Sequence, residues 1–243
     1  MKQTARTAVI TGGGSGIGAA CAFALADEGF RVAIAGRRAE TLRETAANYR
    51  GDGEILTHAV NVADRPSVDA LFRWADEQLG RVDVLINSAG VNVPNRSLEE
   101  LEPDDWDRIL AVNATGAYNC IRAVLPQMRR RGDGLILNVS SIAGIRASQL
   151  GGPAYSVSKF AMTALGRNVA LAEREHGIRV TNILPGEVET PILAQRPEPV
   201  TDEHRRRILQ PEDIAIAVVM LTRLPPRAHV PDLVIKPTTQ PLT

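Results

Sequence analysis

Short runs rich in β-branched residues alternate with longer helical patterns along almost the whole chain. The runs predict strands at residues 7–11, 31–35, 54–60, 82–86, 135–139, 179–184 and 233–235. The helical patterns lie at residues 17–28, 39–49, 67–79, 104–131 and 154–176, with Pro126 marking a bend or break in the fourth of them. Since such alternation connects parallel strands by right-handed crossovers, it predicts an α/β fold: one doubly wound parallel sheet with helices on both faces. No linker or repeat interrupts it, and we expect one domain over residues 1–243.

Composition argues against several classes of partner. Charged residues make up 23% of the chain and the formal net charge is zero, so neither a nucleic acid nor another polyanion is expected. No apolar run reaches the ~18 residues of a membrane span, and we expect no membrane contact and a cytoplasmic location. Cys21 and Cys120 lie in apolar helical stretches, which favours buried, reduced side chains over a redox pair.

A glycine-rich turn follows the first predicted strand. From Thr11 to Gly18 the sequence reads TGGGSGIG and leads directly into a helix. Glycines permit a tight turn and a close backbone approach to a pyrophosphate, and the helix N-terminus directs free N–H groups towards it. At this place in an α/β domain the turn predicts a dinucleotide-binding site.

The end of the second strand indicates which dinucleotide is bound. A free ribose 2′-hydroxyl would need an acidic partner here, but the sequence has Gly36, Arg37 and Arg38. Two guanidinium groups suit a 2′-phosphate, so the sequence predicts NADP(H) in preference to NAD(H). The alternative is that both arginines begin the next helix in solvent.

Tyr155 and Lys159 lie four residues apart, on one face of a predicted helix, and Ser141 precedes Tyr155 by fourteen residues. A lysine charge roughly 4 Å from the phenol, at an effective dielectric of ~20, would favour tyrosinate by about 4 kcal/mol, or ~3 pKa units. The phenol, which ordinarily titrates near pH ~10, would then exchange protons with an alcohol or ketone near neutral pH. Taken alone, such a pair is also common on exposed helices.

Several separated motifs occur here in one order. They are the glycine turn, Asn87-Ser88-Ala89-Gly90, Asn113, Ser141, Tyr155 with Lys159, and Pro185-Gly186. Together they resemble the short-chain dehydrogenase/reductase family over nearly the whole chain. The resemblance implies a Rossmann-type fold, hydride transfer between NADP(H) and a small-molecule substrate, no metal, and a homo-oligomer, either a tetramer or a dimer, built on the two long helices.

The resemblance also implies roles for individual residues. The catalytic residues would be Tyr155 as general acid/base, Ser141 as the group that holds the substrate oxygen, Lys159 as the group that lowers the pKa of Tyr155 and binds the nicotinamide ribose, and Asn113 as part of a proton relay through water. The cofactor would be bound by Gly12, Ser15, Gly16, Ile17, Gly18, Arg37, Arg38, Asn61, Val62, Asn87, Ala89, Gly90, Tyr155, Lys159, Pro185, Gly186, Val188 and Thr190. The sequence departs from the family at Asn61, where Asp is usual, and in a Ser141–Tyr155 interval one residue longer than usual.

The substrate depends on loops, here expected at residues 91–96, 145–152 and 191–210. Residues 230–238 resemble the C-terminal segment of the subgroup that oxidises serine and other 3-hydroxy acids with NADP. Arg196 and Arg146 are then candidates to bind a substrate carboxylate, the alternative for each being a solvated loop arginine. Two other functions stay open: an NADPH-dependent reductase of ketones or 3-oxoacyl groups, and a cofactor-sensing protein without turnover.

Overall fold

A computed structural model describes residues 5–240; residues 1–4 and 241–243 lie outside the described range. The strands are β1 (Thr7–Thr11), β2 (Arg31–Gly36), β3 (Ile55–Ala59), β4 (Val84–Asn87), β5 (Gly134–Val139), β6 (Ile178–Pro185) and β7 (Asp232–Ile235). They form one seven-stranded sheet in the order β3-β2-β1-β4-β5-β6-β7, and every neighbouring pair is parallel. The predicted doubly wound fold is confirmed.

Helices connect successive strands. They are α1 (Gly16–Asp27), α2 (Ala39–Asn48), α3 (Arg65–Leu79), α4 (Pro103–Leu110), α5 (Gly116–Arg131), α6 (Pro153–Glu173), α7 (Asp202–Arg205) and α8 (Pro211–Arg223). None of the helices within residues 5–240 is both long and apolar enough to cross a bilayer.

The core is divided between the two faces of the sheet because successive side chains of a strand point to opposite sides. Ile10 of β1 packs in the cluster that includes α1 and α8, whereas its neighbour Val9 packs in the cluster that includes α3 and α5. Cys21 and Cys120 are buried and unbridged, one in each cluster. Burial raises the pKa of each thiol to about 12, so both stay protonated.

Polar side chains form a ladder across four adjacent strands at one register. The ladder consists of Asn87, Asn138, Asn182 and Asp232 on β4 to β7. Each asparagine Nδ2 donates to the Oδ1 of the next residue, at 2.9, 3.2 and 2.9 Å. Arg167 of α6 forms an ion pair with the Asp232 carboxylate at 2.8 Å. At Gly166, also on α6, a Cβ would lie 2.0 Å from Asn182 Oδ1, so the absence of a side chain lets this helix pack directly on the ladder.

Residues 104–131 were predicted to form one helix, but the structure has two helices joined by a π turn. Helix α5 continues through Pro126, so the expected break at this proline is wrong. The proline removes one N–H donor, but the helix runs on for a further turn to Arg131. The irregularity lies upstream, in a π turn over Ala111–Thr115 that joins α4 to α5 and contains the buried Asn113.

The topology places one end of the sheet at a crevice. The chain pairs β1 with β2 on one side and with β4 on the other, so the connections leave these neighbouring strands in opposite directions. At such a switch point the loops after the strands diverge and open a cleft at their carboxyl ends.

Candidate active site

A cavity of about 690 Å³ lies at this end of the sheet. Its wall is built from the segments that follow β1 to β6 and from the first turns of α6. The cavity therefore joins the glycine turn at one end to Tyr155 at the other.

The glycine turn closes tightly against the neighbouring strand. Gly12 and Gly16 have φ values of +67° and +51°, which favour glycine. A Cβ on Gly12 would lie 2.7 Å from backbone atoms of Ser88 and Ala89, and one on Gly18 would lie 2.4 Å from the carbonyl oxygen of Gly12. Since α1 begins at Gly16, the first amides of a helix face the cavity, which suits a pyrophosphate.

Arg37 and Arg38 line the edge of the cavity after β2 and are exposed. Neither forms an ion pair in the part of the chain that the structure describes. Asn61 lies across the same end, where its Oδ1 accepts a hydrogen bond from the Ala63 amide at 3.2 Å. Two unpaired guanidinium groups beside a glycine turn fit a phosphorylated ribose.

Ser141 and Tyr155 meet at the other end of the cavity. Ser141 follows β5, Tyr155 lies in the first turn of α6, and both line the cavity. Burial raises the pKa of the Tyr155 phenol, while the hydrogen bond from Ser141 and the charge of Arg96 lower it in part. Ser140 is different because its Oγ lies 2.8 Å from Thr163 Oγ1 and is turned into the body of the protein.

Lys159 is buried one turn after Tyr155. Its Nζ donates to the carbonyl oxygen of Val139 at 2.9 Å and lies 5.6 Å from the centroid of the Tyr155 ring. Burial lowers the pKa of Lys159 to about 8. The expectation that Lys159 lowers the pKa of Tyr155 is therefore not what this structure shows: burial outweighs the other influences, and the cation that opposes it is Arg96.

Asn113 lies behind the cavity wall. Its Oδ1 accepts from the Val91 amide at 2.8 Å, and its Nδ2 donates to Val91 O and Ser158 Oγ, each at 3.0 Å. A Cβ on Gly90 would lie 3.7 Å from Asn113 Oδ1 and 3.6 Å from Lys159 Nζ. Asn113 therefore fixes the loop after β4 close to Lys159.

Comparison with known proteins decides the family. The model of the short chain dehydrogenase family matches residues 6–200. The chain belongs to the short-chain dehydrogenase family. This confirms both the family and the enzyme class predicted from the motifs.

Two relatives extend the match beyond residue 200. An uncharacterized oxidoreductase of Staphylococcus saprophyticus is 32% identical over 96% of this chain and 97% of its own length. Glycine betaine reductase ATRR of Emericella nidulans is 34% identical over 98% of this chain, which spans only 19% of that protein.

Two solved structures of dehydrogenases are also similar. An alcohol dehydrogenase from the archaeon Thermococcus sibiricus, complexed with 5-hydroxy-NADP, is 30% identical, with a TM-score of 0.87 over 97% of this chain and 98% of its own. A closed form of serine dehydrogenase complexed with NADP+ is 26% identical, with a TM-score of 0.88 over 97% and 96% of the two chains.

Most residues predicted to bind the cofactor line the cavity. These are Gly12, Ser15, Gly16, Ile17, Arg37, Arg38, Asn61, Val62, Ala89, Gly90, Tyr155, Lys159, Pro185, Gly186, Val188 and Thr190. Gly18 and Asn87 lie behind the wall, the first against the glycine turn and the second in the ladder of polar side chains. No group of three or more His, Cys, Asp or Glu side chains within residues 5–240 is placed to hold a metal ion.

The two arginines predicted to bind a substrate differ in position. Arg146 is not among the described residues that line the cavity. Arg196 lines it, but its guanidinium pairs with Glu187 at 3.1 Å, and His204 Nε2 lies 2.5 Å from the same carboxylate. Burial favours the neutral acid, but the hydrogen bonds from His204 and Arg196 outweigh it and hold the pKa of Glu187 below its ordinary value.

Sequence reasoning missed Arg96 as an individual residue. It falls in a loop predicted to influence the substrate, yet it is only 8% exposed and lines the cavity. An arginine in a polar loop ordinarily points to solvent, so its sequence context carried no signal for burial.

Proposed function

We propose that this chain is an NADP(H)-dependent oxidoreductase that interconverts a small alcohol and its carbonyl compound, with a 3-hydroxy acid as the substrate class. The observation that carries the proposal is that Ser141 and Tyr155 line one cavity that also reaches the glycine turn. A binding protein without turnover would not require this hydroxyl pair.

The fit of the residues to NADP(H) supports the choice of cofactor. The glycine turn offers helix amides to a pyrophosphate, and Arg37 and Arg38 offer unpaired charge to a 2′-phosphate. The similar alcohol dehydrogenase and serine dehydrogenase carry NADP-type ligands in their structures. Lys159 lines the same cavity as the glycine turn and Tyr155, which supports its proposed contact with a nicotinamide ribose.

The chemistry of the site is proton exchange at one oxygen. When bound, NADP(H) supplies or accepts the hydride. Tyr155 holds its proton at neutral pH, since burial raises its pKa, and donates it to a carbonyl oxygen during reduction. Ser141 donates a hydrogen bond to the same oxygen and stabilises its developing charge. In the reverse direction Tyr155 first loses its own proton through the relay of Lys159, Asn113 and water, and its phenolate oxygen then accepts the alcohol proton.

A 3-hydroxy acid is supported by the C-terminal segment and by the similarity to serine dehydrogenase. After β7 the segment returns to the cavity, where Gln240 Oε1 accepts from the Glu187 amide at 3.1 Å. Gln240 and Gly186 thereby close the part of the cavity wall that follows β6.

We further propose a cytoplasmic enzyme that forms a homo-oligomer, a dimer or a tetramer, through α5 and α6. Apolar or aromatic side chains are exposed on these two helices: Tyr118, Val157, Phe160 and Leu171. Apolar surface of this kind is costly in water and is typical of a protein contact.

Replacing Tyr155 by Phe tests the proposed reaction. Loss of the phenol oxygen should lower NADPH oxidation with a carbonyl substrate by about 100- to 10,000-fold, since the general acid is removed. NADPH binding, followed by its fluorescence, should change little. The control is Tyr118→Phe, which removes an exposed hydroxyl and should leave turnover unchanged. Turnover retained by Tyr155→Phe would contradict the mechanism.

A further inference from the structure

Arg96 joins the three loops that surround the substrate end of the cavity. Its Nε donates to Val93 O at 2.7 Å, one terminal nitrogen donates to Leu150 O at 3.1 Å, and the other donates to Gln195 O. These carbonyl groups belong to the loop after β4, the loop before α6 and the segment after β6, respectively. The guanidinium is thus fixed where the three loops meet.

Among the residues that the structure describes, none provides a counterion for Arg96. Within residues 5–240 its hydrogen-bond partners are all carbonyl oxygens and no carboxylate pairs with it. The other arginines at this end of the cavity are neutralised, Arg196 by Glu187 at 3.1 Å and Arg108 by Asp105 at 2.6 Å. Burial lowers the pKa of Arg96, but an arginine stays charged in proteins. A buried cation without a counterion is costly, and an anion would relieve that cost.

The charge of Arg96 lies close to the groups that would react with the substrate. Arg96 lies close enough to Tyr155 for each to shift the pKa of the other. Its backbone is also fixed, because a Cβ on Gly152, at φ +77°, would lie 2.4 Å from Arg96 O and 3.0 Å from Arg96 Cβ. This backbone contact and the three carbonyl contacts hold the guanidinium near Tyr155.

We infer that Arg96 is a specificity-determining residue that binds the carboxylate of an anionic substrate while Tyr155 acts on the hydroxyl or carbonyl group of the same molecule. A guanidinium has five N–H groups, and the three carbonyl contacts leave donors for a carboxylate. Arg96 would thus bind the substrate carboxylate that Arg196 was expected to bind. The inference rests on the function proposed above, and it adds the group that distinguishes charged from neutral substrates.

The test compares acetoacetate with its neutral methyl ester as substrates for NADPH oxidation. In the wild type we expect the acid to be preferred, and in Arg96→Met we expect kcat/KM for acetoacetate to fall by about 100-fold, mainly through KM. For methyl acetoacetate the loss should be below about 3-fold, because the ester makes no ion pair with the guanidinium. Arg96→Lys, which keeps the charge, should restore part of the preference, and surface variant Arg43→Met should match the wild type. Equal losses for acid and ester would overturn the inference and leave Arg96 as a loop contact only.

A second measurement does not depend on turnover. Butyrate and butyramide differ in charge but scarcely in shape, and their binding to the NADP+-saturated wild type can be followed by thermal shift. Butyrate should bind at least about 10-fold more tightly, as expected for a charge-assisted contact. Equal binding would contradict the role of Arg96 even if the enzyme is active. Conversely, absence of NADPH oxidation with every carbonyl compound would contradict the proposed function, while a butyrate preference that is present in the wild type and absent in Arg96→Met would still support the role of Arg96.

Discussion

Lys159 is a buried cation whose cost to folding can be measured. Burial lowers its pKa from 10.5 to about 8, so the folded protein binds this proton less tightly than the unfolded chain does. The free energy of unfolding is therefore reduced by about 3 kcal/mol at pH values below the folded pKa. This cost is lost progressively as the pH rises from about 8 towards 10.5.

Lys159→Met should remove this pH dependence. Compared with the wild type, the variant should gain most stability at pH 7, and its relative gain should shrink by about 1 kcal/mol between pH 7 and pH 9. Urea denaturation of both proteins at each pH measures the difference, and the groups common to both cancel. A stability difference that does not change with pH would show that Lys159 titrates as it does in water.

Spacing alone placed Tyr155 and Lys159 on one helix face, and the structure agrees. It also predicted that Lys159 would lower the pKa of Tyr155, whereas burial raises that pKa and the cation that opposes burial is Arg96, which is distant in sequence. Nor did it separate Arg96 from Arg196, because the ion pair of Arg196 with Glu187 forms only when two loops meet in the fold. Local pattern thus identifies reacting groups better than it identifies their charged neighbours.

At the level of secondary structure, the position of α6 depends on a glycine. An alanine at position 166 would favour the helix by about 1 kcal/mol on propensity alone. In this fold, however, its Cβ would lie 2.0 Å from Asn182 Oδ1 and 2.7 Å from Asn138 Nδ2. We therefore expect Gly166→Ala to lower the free energy of unfolding by about 2 kcal/mol and to reduce turnover, because the helix that carries Tyr155 must shift. The control on the same helix is Leu171→Ala, exposed by 68%, and urea denaturation with turnover assays would compare them. A more stable Gly166→Ala would contradict the close packing.

Strands were easier to predict than the irregular parts of helices. β1 begins and ends as predicted, and the other strands differ at their ends by one or two residues, because a buried parallel strand has a strong β-branched pattern. The π turn over Ala111–Thr115 left no such pattern: its residues continue the helical periodicity. The break predicted at Pro126 does not occur, because the cost of one lost hydrogen bond is outweighed by the packing of α5.

For the whole molecule, we expect the exposed apolar side chains of α5 and α6 to hold several copies of the chain together. Phe160 is 42% exposed on α6, next to other exposed apolar side chains. We expect the wild type to have the mass of two or four chains in light scattering, and Phe160→Glu to shift it towards smaller species, since a buried unpaired carboxylate is costly. Leu98→Glu, at a loop position exposed by 81%, is the control and should leave the mass unchanged. A monomeric wild type at micromolar concentration would contradict the proposed assembly.

The π turn over Ala111–Thr115 also determines which changes of length the chain can accept. A π turn accommodates one inserted residue in an α-helix by widening a single turn, so the helices on either side keep their relative orientation. Deleting Ala114 would allow α4 and α5 to form one regular helix, but it would change the direction of the side chains within the turn. Ile109, fully buried in α4, would keep its place, whereas Asn113 would lose its hydrogen bond with Val91. Insertions and deletions between homologues should therefore fall in the loops before α4 and after α5, while the number of residues between Ile109 and α5 stays constant.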